Sequence, residues 1–155
     1  MKGSITANTD GVYFNRPGVT VVAWDPSCQA VHLESQGWAD SSEFKAASEA
    51  VIAALREHRT SRMLGDGRSL RAIKQADQDW MTQDWMPRAL AAGLRRMALV
   101  VPKSAVARTN LEQMVDKVPE SKLEVAYFAT VDEARAWLNQ SPAPTPNHGF
   151  KIPAP

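Results

Sequence analysis

Cysteine is nearly absent from this chain. Cys28 stands alone among 155 residues, which excludes an internal disulfide and any CxxC metal or redox motif and fits a reducing compartment. Net charge is nearly absent as well: 18 Lys and Arg against 17 Asp and Glu leave +1. The chain therefore has no global pull toward nucleic acid or a membrane surface, and no nucleic-acid partner is expected. No apolar run approaches the roughly 20 residues that cross a bilayer, and the opening MKGSIT lacks the apolar core of a signal peptide. A cytoplasmic location is the expectation. The signatures of catalytic and nucleotide-binding machinery are missing too: there is no GxxxxGKS/T, no GxGxxG after a strand, no GxSxG and no HExxH. His32, His58 and His148 have no metal-ligand spacing. These absences argue against an enzyme, and neither a cofactor nor a metal is expected.

What is present reads as one folded unit over residues 11–140, long enough to bury a core. It lies between an N-terminal extension (1–10) and a tail (141–155) that holds five of the ten prolines and has little to bury. GVYF (11–14) predicts a short edge strand. VTVVAW (19–24) and QAVHLES (29–35), separated by the turn residues of DPS, predict a hairpin. Asp40 followed by Glu43 marks a capped helix start, and Phe44, Ala47, Val51, Ala54 and Leu55 continue it with helical spacing to about His58. RML (62–64) predicts a short strand leading into the loop Gly65-Asp66-Gly67. A second helix is expected over 75–92 with Gly93 as its stop. The continuous apolar run MALVV (97–101) predicts a strand covered on both faces. A helix (106–117), the strand LEVAYF (123–128) and the helix VDEARAWL (131–138) follow. Strands alternating with helices point to an α/β layer structure.

The second helix carries the most unusual stretch, DQDWMTQDWMPRAL. On a regular α-helix, positions five apart lie about 140° apart, so Trp80 and Trp85 are expected to face different surroundings. One indole would enter the core, and the other would fill a seam against a helix or a second subunit. The alternative makes one of them a wall of an apolar pocket. Pro87 removes the donor for the Gln83 carbonyl and should bend the helix, leaving that carbonyl to water or to Arg88.

The run GDGRSLRAI through DQDWMTQDWMPRALAAGLRRMALVVP (65–102) resembles the small bacterial SpoIIAA-like proteins of the STAS superfamily. The family's acidic-then-Arg loop is matched by Asp66 and Arg68, its DQ-x-W helix start by Asp77-Gln78 and Trp80, and its W-x-P kink by Trp85 and Pro87. The resemblance implies a single-domain mixed sheet of about five to six strands with helices packed on it, and a non-catalytic regulatory or ligand-binding role. One departure stands out. Sporulation-type antagonists of the superfamily carry an Asp-Ser-Ser-Gly segment with a phosphorylatable serine at a helix start, whereas here Ser69 is followed by Leu70. A phosphate on Ser69 would find Arg68 and Arg71 beside it; the other reading of Ser69 is a plain turn residue.

Asp66, Arg68, Ser69, Arg71, Trp80 and Trp85 are therefore the candidate ligand- or partner-binding residues. Asp66 lies at a strand's C-terminal end, where α/β sheets place ligands; its simpler role is a salt bridge to Arg68. Arg56, Arg59, Arg62, Arg68, Arg71 and Lys74 form one basic surface if the loop after 64–66 folds beside the end of the first helix, with Arg95 and Arg96 a smaller spot. Two modes of action follow. In one, a helix face with Trp80, Trp85 and Met86 docks on a partner protein or on a second copy in a homodimer. In the other, a small amphipathic or lipid-like ligand is held near the tryptophan-rich helix.

Overall fold

The computed structural model describes residues 11–140; the expected extension (1–10) and proline-rich tail (141–155) lie outside the described residues. Strands β1 (Val12–Arg16), β2 (Thr20–Asp25) and β3 (Ala30–Ser35) form an antiparallel meander, so the predicted hairpin gains an edge strand. β4 (Arg62–Asp66), β5 (Arg96–Val100) and β6 (Glu124–Phe128) continue the sheet in parallel, giving six strands in chain order. The mixed six-stranded sheet agrees with the expected class. β4 extends two residues beyond the RML run, carrying Gly65 and Asp66 into the ladder beside Leu99 and Val100.

Strand order dictates where the helices go. Parallel crossovers are right-handed, so connections that step in one direction across a sheet all fall on one face. These are α1 (Ser41–His58), the segment from α2 (Gln75–Trp80) to α3 (Met86–Ala91), and α4 (Ala105–Asp116). α5 (Val131–Leu138) follows the last strand and packs on the opposite face, against β4, β5 and β6. Alternation along β5 shows the two layers. Met97 and Leu99 join Val51, Leu55, Trp85 and Met86, while Ala98 and Val100 join Ala134, Trp137 and Leu138. That double burial is why MALVV reads as a continuous apolar run.

Local signals hold the ends. Asp40 and Glu43 form a reciprocal capping box on α1. Gly93, at φ 115°, supplies the left-handed residue after α3, and the Leu94 N–H returns to the Ala89 carbonyl. Arg96 departs from its expected place in a surface basic spot. It is buried, with Nε donating to Glu124 at 3.0 Å, Nη1 to the Gln140 carbonyl at 2.8 Å, and its guanidinium carbon 4.0 Å from the centre of the Trp137 ring. It clasps the end of α5 to the sheet, since a buried guanidinium needs such acceptors.

The second helix is continuous from Gln75 to Ala91, but residues Met81–Trp85 form a π-helical turn in which the Met86 N–H donates to the Met81 carbonyl. Pro87 follows directly, next to Met86, and having no N–H to donate to the preceding turn it sits where the helix has already widened. The expected distortion is therefore a widened turn just before the proline. Arg88 does not serve the Gln83 carbonyl; its guanidinium reaches both oxygens of Glu49 and Oδ1 of Asp84.

The widened turn also corrects the 140° separation of the tryptophans, because i to i+5 hydrogen bonding brings positions five apart closer around the axis. Both indoles meet α1. Trp85 is buried in the core, and its Nε1 donates to the Ser48 carbonyl at 2.7 Å. Trp80, half-buried, packs edge-on to Phe44 at 6.3 Å with Lys45 and Arg88 over its ring. One ring thus enters the core and the other fills a seam between helices of the same chain.

Trp85→Phe deletes this buried donor and part of a core side chain, and it should cost about 1–3 kcal/mol. Trp80→Phe at the margin should cost under about 1 kcal/mol. Equal shifts of the urea midpoint for the two variants would contradict the different roles assigned to the rings.

Candidate functional site

Between the sheet and its three-helix layer lies a cavity of about 170 Å³. Its floor is Leu33, Met63, Gly65, Met97 and Leu99; α1 contributes Ala47 and Val51, the helix Gln75–Ala91 supplies Met81, Trp85 and Met86, and α4 supplies Leu111 and Met114. Gly65 keeps the floor open: a Cβ there would meet Leu99 Cδ2 at 2.8 Å. The six methionines of the chain are Met1 and five others, and all five others line this space. The polar atoms set in the walls by α1 and the helix Gln75–Ala91 are already partnered. Trp85 Nε1 is on the Ser48 carbonyl, the Ser48 hydroxyl donates to the Phe44 carbonyl, and the Thr82 hydroxyl to the Gln78 carbonyl. The interior offers an occupant dispersion and polarizable sulfur, and the hydroxyls of Thr20 and Ser35 line it where those residues pair at the C-terminal end of β3.

The mouth lies at the C-terminal ends of β3 and β4, where α/β sheets hold ligands. Trp38, in the segment before α1, and Arg71 and Lys74, in the segment before α2, border it together with Asp66, Leu70 and Asp77. Trp38 is 55% exposed and carries the Lys74 ammonium 5.6 Å from its ring centre. Asp77 is buried and accepts from the Ser41 hydroxyl at 2.9 Å.

Three of the sequence-predicted residues, Asp66, Arg71 and Trp85, border this one cavity. Asp66 is 3% exposed, and both of its oxygens are taken by Arg68: Nε to Oδ1 at 2.9 Å and Nη2 to Oδ2 at 2.7 Å, with the Arg68 N–H also on Oδ1. Hydrogen bonding to that carboxylate pushes the Arg68 guanidinium above its usual value. Ser69 is exposed in the turn closed by the Leu70 N–H on the Gly67 carbonyl. It lies six residues before α2 begins, away from any helix start, and Arg68 beside it is engaged. Arg71 is exposed with no carboxylate partner among the described residues. Trp80 lies outside the cavity. Trp85 and Met86 are both buried, so the docking face imagined for them is turned inward.

The single basic surface is also corrected. α1 ends before β4 begins, so Arg56, Arg59 and Arg62 lie at the start of β4, and Arg68, Arg71 and Lys74 beyond its end. Arg62 donates to the Cys28 carbonyl. The loop after Asp66 instead meets the start of α1, through Ser41 and Trp38. The sequence reading missed Trp38, Lys74, Asp77 and the methionines. The methionines sit in five separate elements, and no spacing in the sequence links them.

A second polar cluster sits on the sheet's other side. Asp25 accepts from the Ser27 hydroxyl and from Arg135 Nε, and lies 3.9 Å from His32 Nδ1. Burial pushes Asp25 up, but the bonds from Ser27 and Arg135 win and hold it below its ordinary value. Burial lowers His32 despite the nearby Asp25, and His32 Nε2 is buried without a partner. Burial also raises the Cys28 thiol to about 11, which makes it inert. His58, in the last turn of α1, stacks on Trp24 with ring centres 3.9 Å apart. Among the described residues no group of three or more His, Cys, Asp or Glu is placed to hold a metal, and no helix is long and apolar enough to cross a membrane.

The His32 environment fixes a pH dependence. Its folded pKa lies below the ordinary 6.5, so the stability it contributes is present above pH 6.5 and is lost as pH falls toward the lowered value. His32→Leu should flatten the loss of stability between pH 7 and 5, measured by denaturant unfolding. An unchanged slope would contradict the assignment.

A SpoIIAA-like family model matches residues 30–139, from β3 to the end of α5. No curated protein and no solved structure matches the chain.

Proposed function

This chain belongs to the SpoIIAA-like family, and from that premise we propose that it is a regulatory module without catalytic chemistry that responds to a small amphipathic ligand held in the cavity. Domains of STAS type are generally non-enzymatic and act on partner proteins. The observation that carries the ligand reading is the cavity itself: about 170 Å³, lined mainly by apolar side chains and opening at the sheet's C-terminal edge. The state of Asp66 supports the non-catalytic part. Both of its oxygens are held by Arg68 in a two-point ion pair, a structural use of the carboxylate.

The size narrows the earlier expectation of a lipid-like ligand. An engineered cavity of about 150 Å³ binds benzene, so the space suits a body of that order and does not suit a long acyl chain. Direct docking on a partner through the tryptophan helix retains only Trp80, since Trp85 and Met86 face inward. Partner contact would then be governed by whether the cavity is filled.

Toluene at ten times its dissociation constant should raise the thermal midpoint by about 3–6 °C, because binding the folded state alone adds about 1.4 kcal/mol. Ala47→Leu, which adds carbons to the cavity wall, should abolish that rise while unfolding cooperatively. No rise in the parent protein, or an equal rise in a folded Ala47→Leu, would overturn the ligand reading.

A further inference from the structure

We infer that the ligand is a one-ring aromatic acid, with its ring among the methionines and its carboxylate at the mouth between Arg71 and Lys74; this rests on the reading of the cavity as a ligand site. Three features of the site converge on that chemistry. The volume bounds the apolar body at about the size of a benzene ring. The wall is unusually rich in sulfur, with five methionines from β4, the π turn, α3, β5 and α4 around one space, and thioethers make favourable contacts with aromatic rings. An alkyl body gains no such preference. The third feature is charge. The polar groups that α1 and the helix Gln75–Ala91 set in the walls are satisfied within the protein, and the lining hydroxyls of Thr20 and Ser35 lie at the C-terminal end of β3 beside the mouth, so the ligand's polar group belongs there.

There, Arg71 and Lys74 have no carboxylate partner among the described residues, and Lys74 lies over Trp38, which leaves its charge uncompensated. The carboxylates bordering the same opening are Asp66 and Asp77. Asp66 is neutralised by Arg68, and Asp77 is buried on the Ser41 hydroxyl. Counting Arg68, Arg71 and Lys74 against Asp66 and Asp77 leaves one net positive charge, presented by the two free side chains. An anionic head is the complement.

The test compares three ligands with one ring and different heads, phenylacetate, phenylacetamide and phenethylamine, by calorimetry on the full chain. Phenylacetate should bind about fivefold more tightly than the amide, as expected for a head group near two solvent-exposed cations. The double variant Arg71→Gln/Lys74→Gln should erase that preference, so that phenylacetate and phenylacetamide bind with equal affinity. In the parent protein, equal affinity for phenylacetate and phenylacetamide, or tighter binding of phenethylamine, would overturn the inference while leaving the cavity reading intact. Dodecanoate binding more tightly than phenylacetate would overturn the size and ring arguments. Failure of all these ligands together with failure of toluene would remove the cavity reading as well.

Discussion

The hydrogen bond from Trp85 Nε1 to the Ser48 carbonyl is the contact on which the rest of the helical layer depends. It fixes the rod from Gln75 to Ala91 against α1 and turns one face of the indole toward the cavity. Reaching it requires the widened turn at Met81–Trp85, which gathers Trp80 and Trp85 onto the same neighbouring helix. Pro87 stands next to that turn, and its missing N–H interrupts the regular ladder at the point where the helix widens. The arrangement leaves a space bounded by sheet and helices instead of a filled seam. Interiors are close-packed as a rule, so an opening of this size between sheet and helices is the feature on which the proposed ligand site rests.

Much of the fold was legible because local chemistry and tertiary position agree. The Asp40 capping box, the Gly93 stop and the MALVV run each identify an element, and each stands where its chemistry places it. The sheet's mixed character follows from strands that alternate with helices only after β3. Legibility failed where residue period and hydrogen-bond register diverge. A 3.6-residue helix was assumed through a stretch that takes a wider turn, and the two indoles were sent apart. It failed again for charge, because sequence proximity grouped arginines that β4 separates by its own length, and because Arg96 is buried against carbonyls at the far end of α5.

The candidate site was half legible. Asp66 could be placed from its position at a strand end, and its pairing with Arg68 follows from a two-residue spacing. The cavity could not be seen, since its lining comes from elements spread between Thr20 and Leu123. A methionine at 63 and another at 114 become neighbours of one void only through the sheet order. The same order sets the two polar clusters on opposite sides. Asp25 and His32 form a closed, stabilising group beneath α5, whereas Arg71 and Lys74 keep their charge at an opening. That contrast between satisfied and unsatisfied charge separates structure from function in this molecule.

The central claim is that one shared space joins the five interior methionines. Selective labelling of methionine ε-methyl groups reads it directly by NMR. On titration with toluene, the account predicts that the resonances of Met63, Met81, Met86, Met97 and Met114 all shift, with a single saturation curve, under the ring current of one bound molecule. Resonances that stay fixed at saturating toluene, or that respond with different affinities, would contradict it.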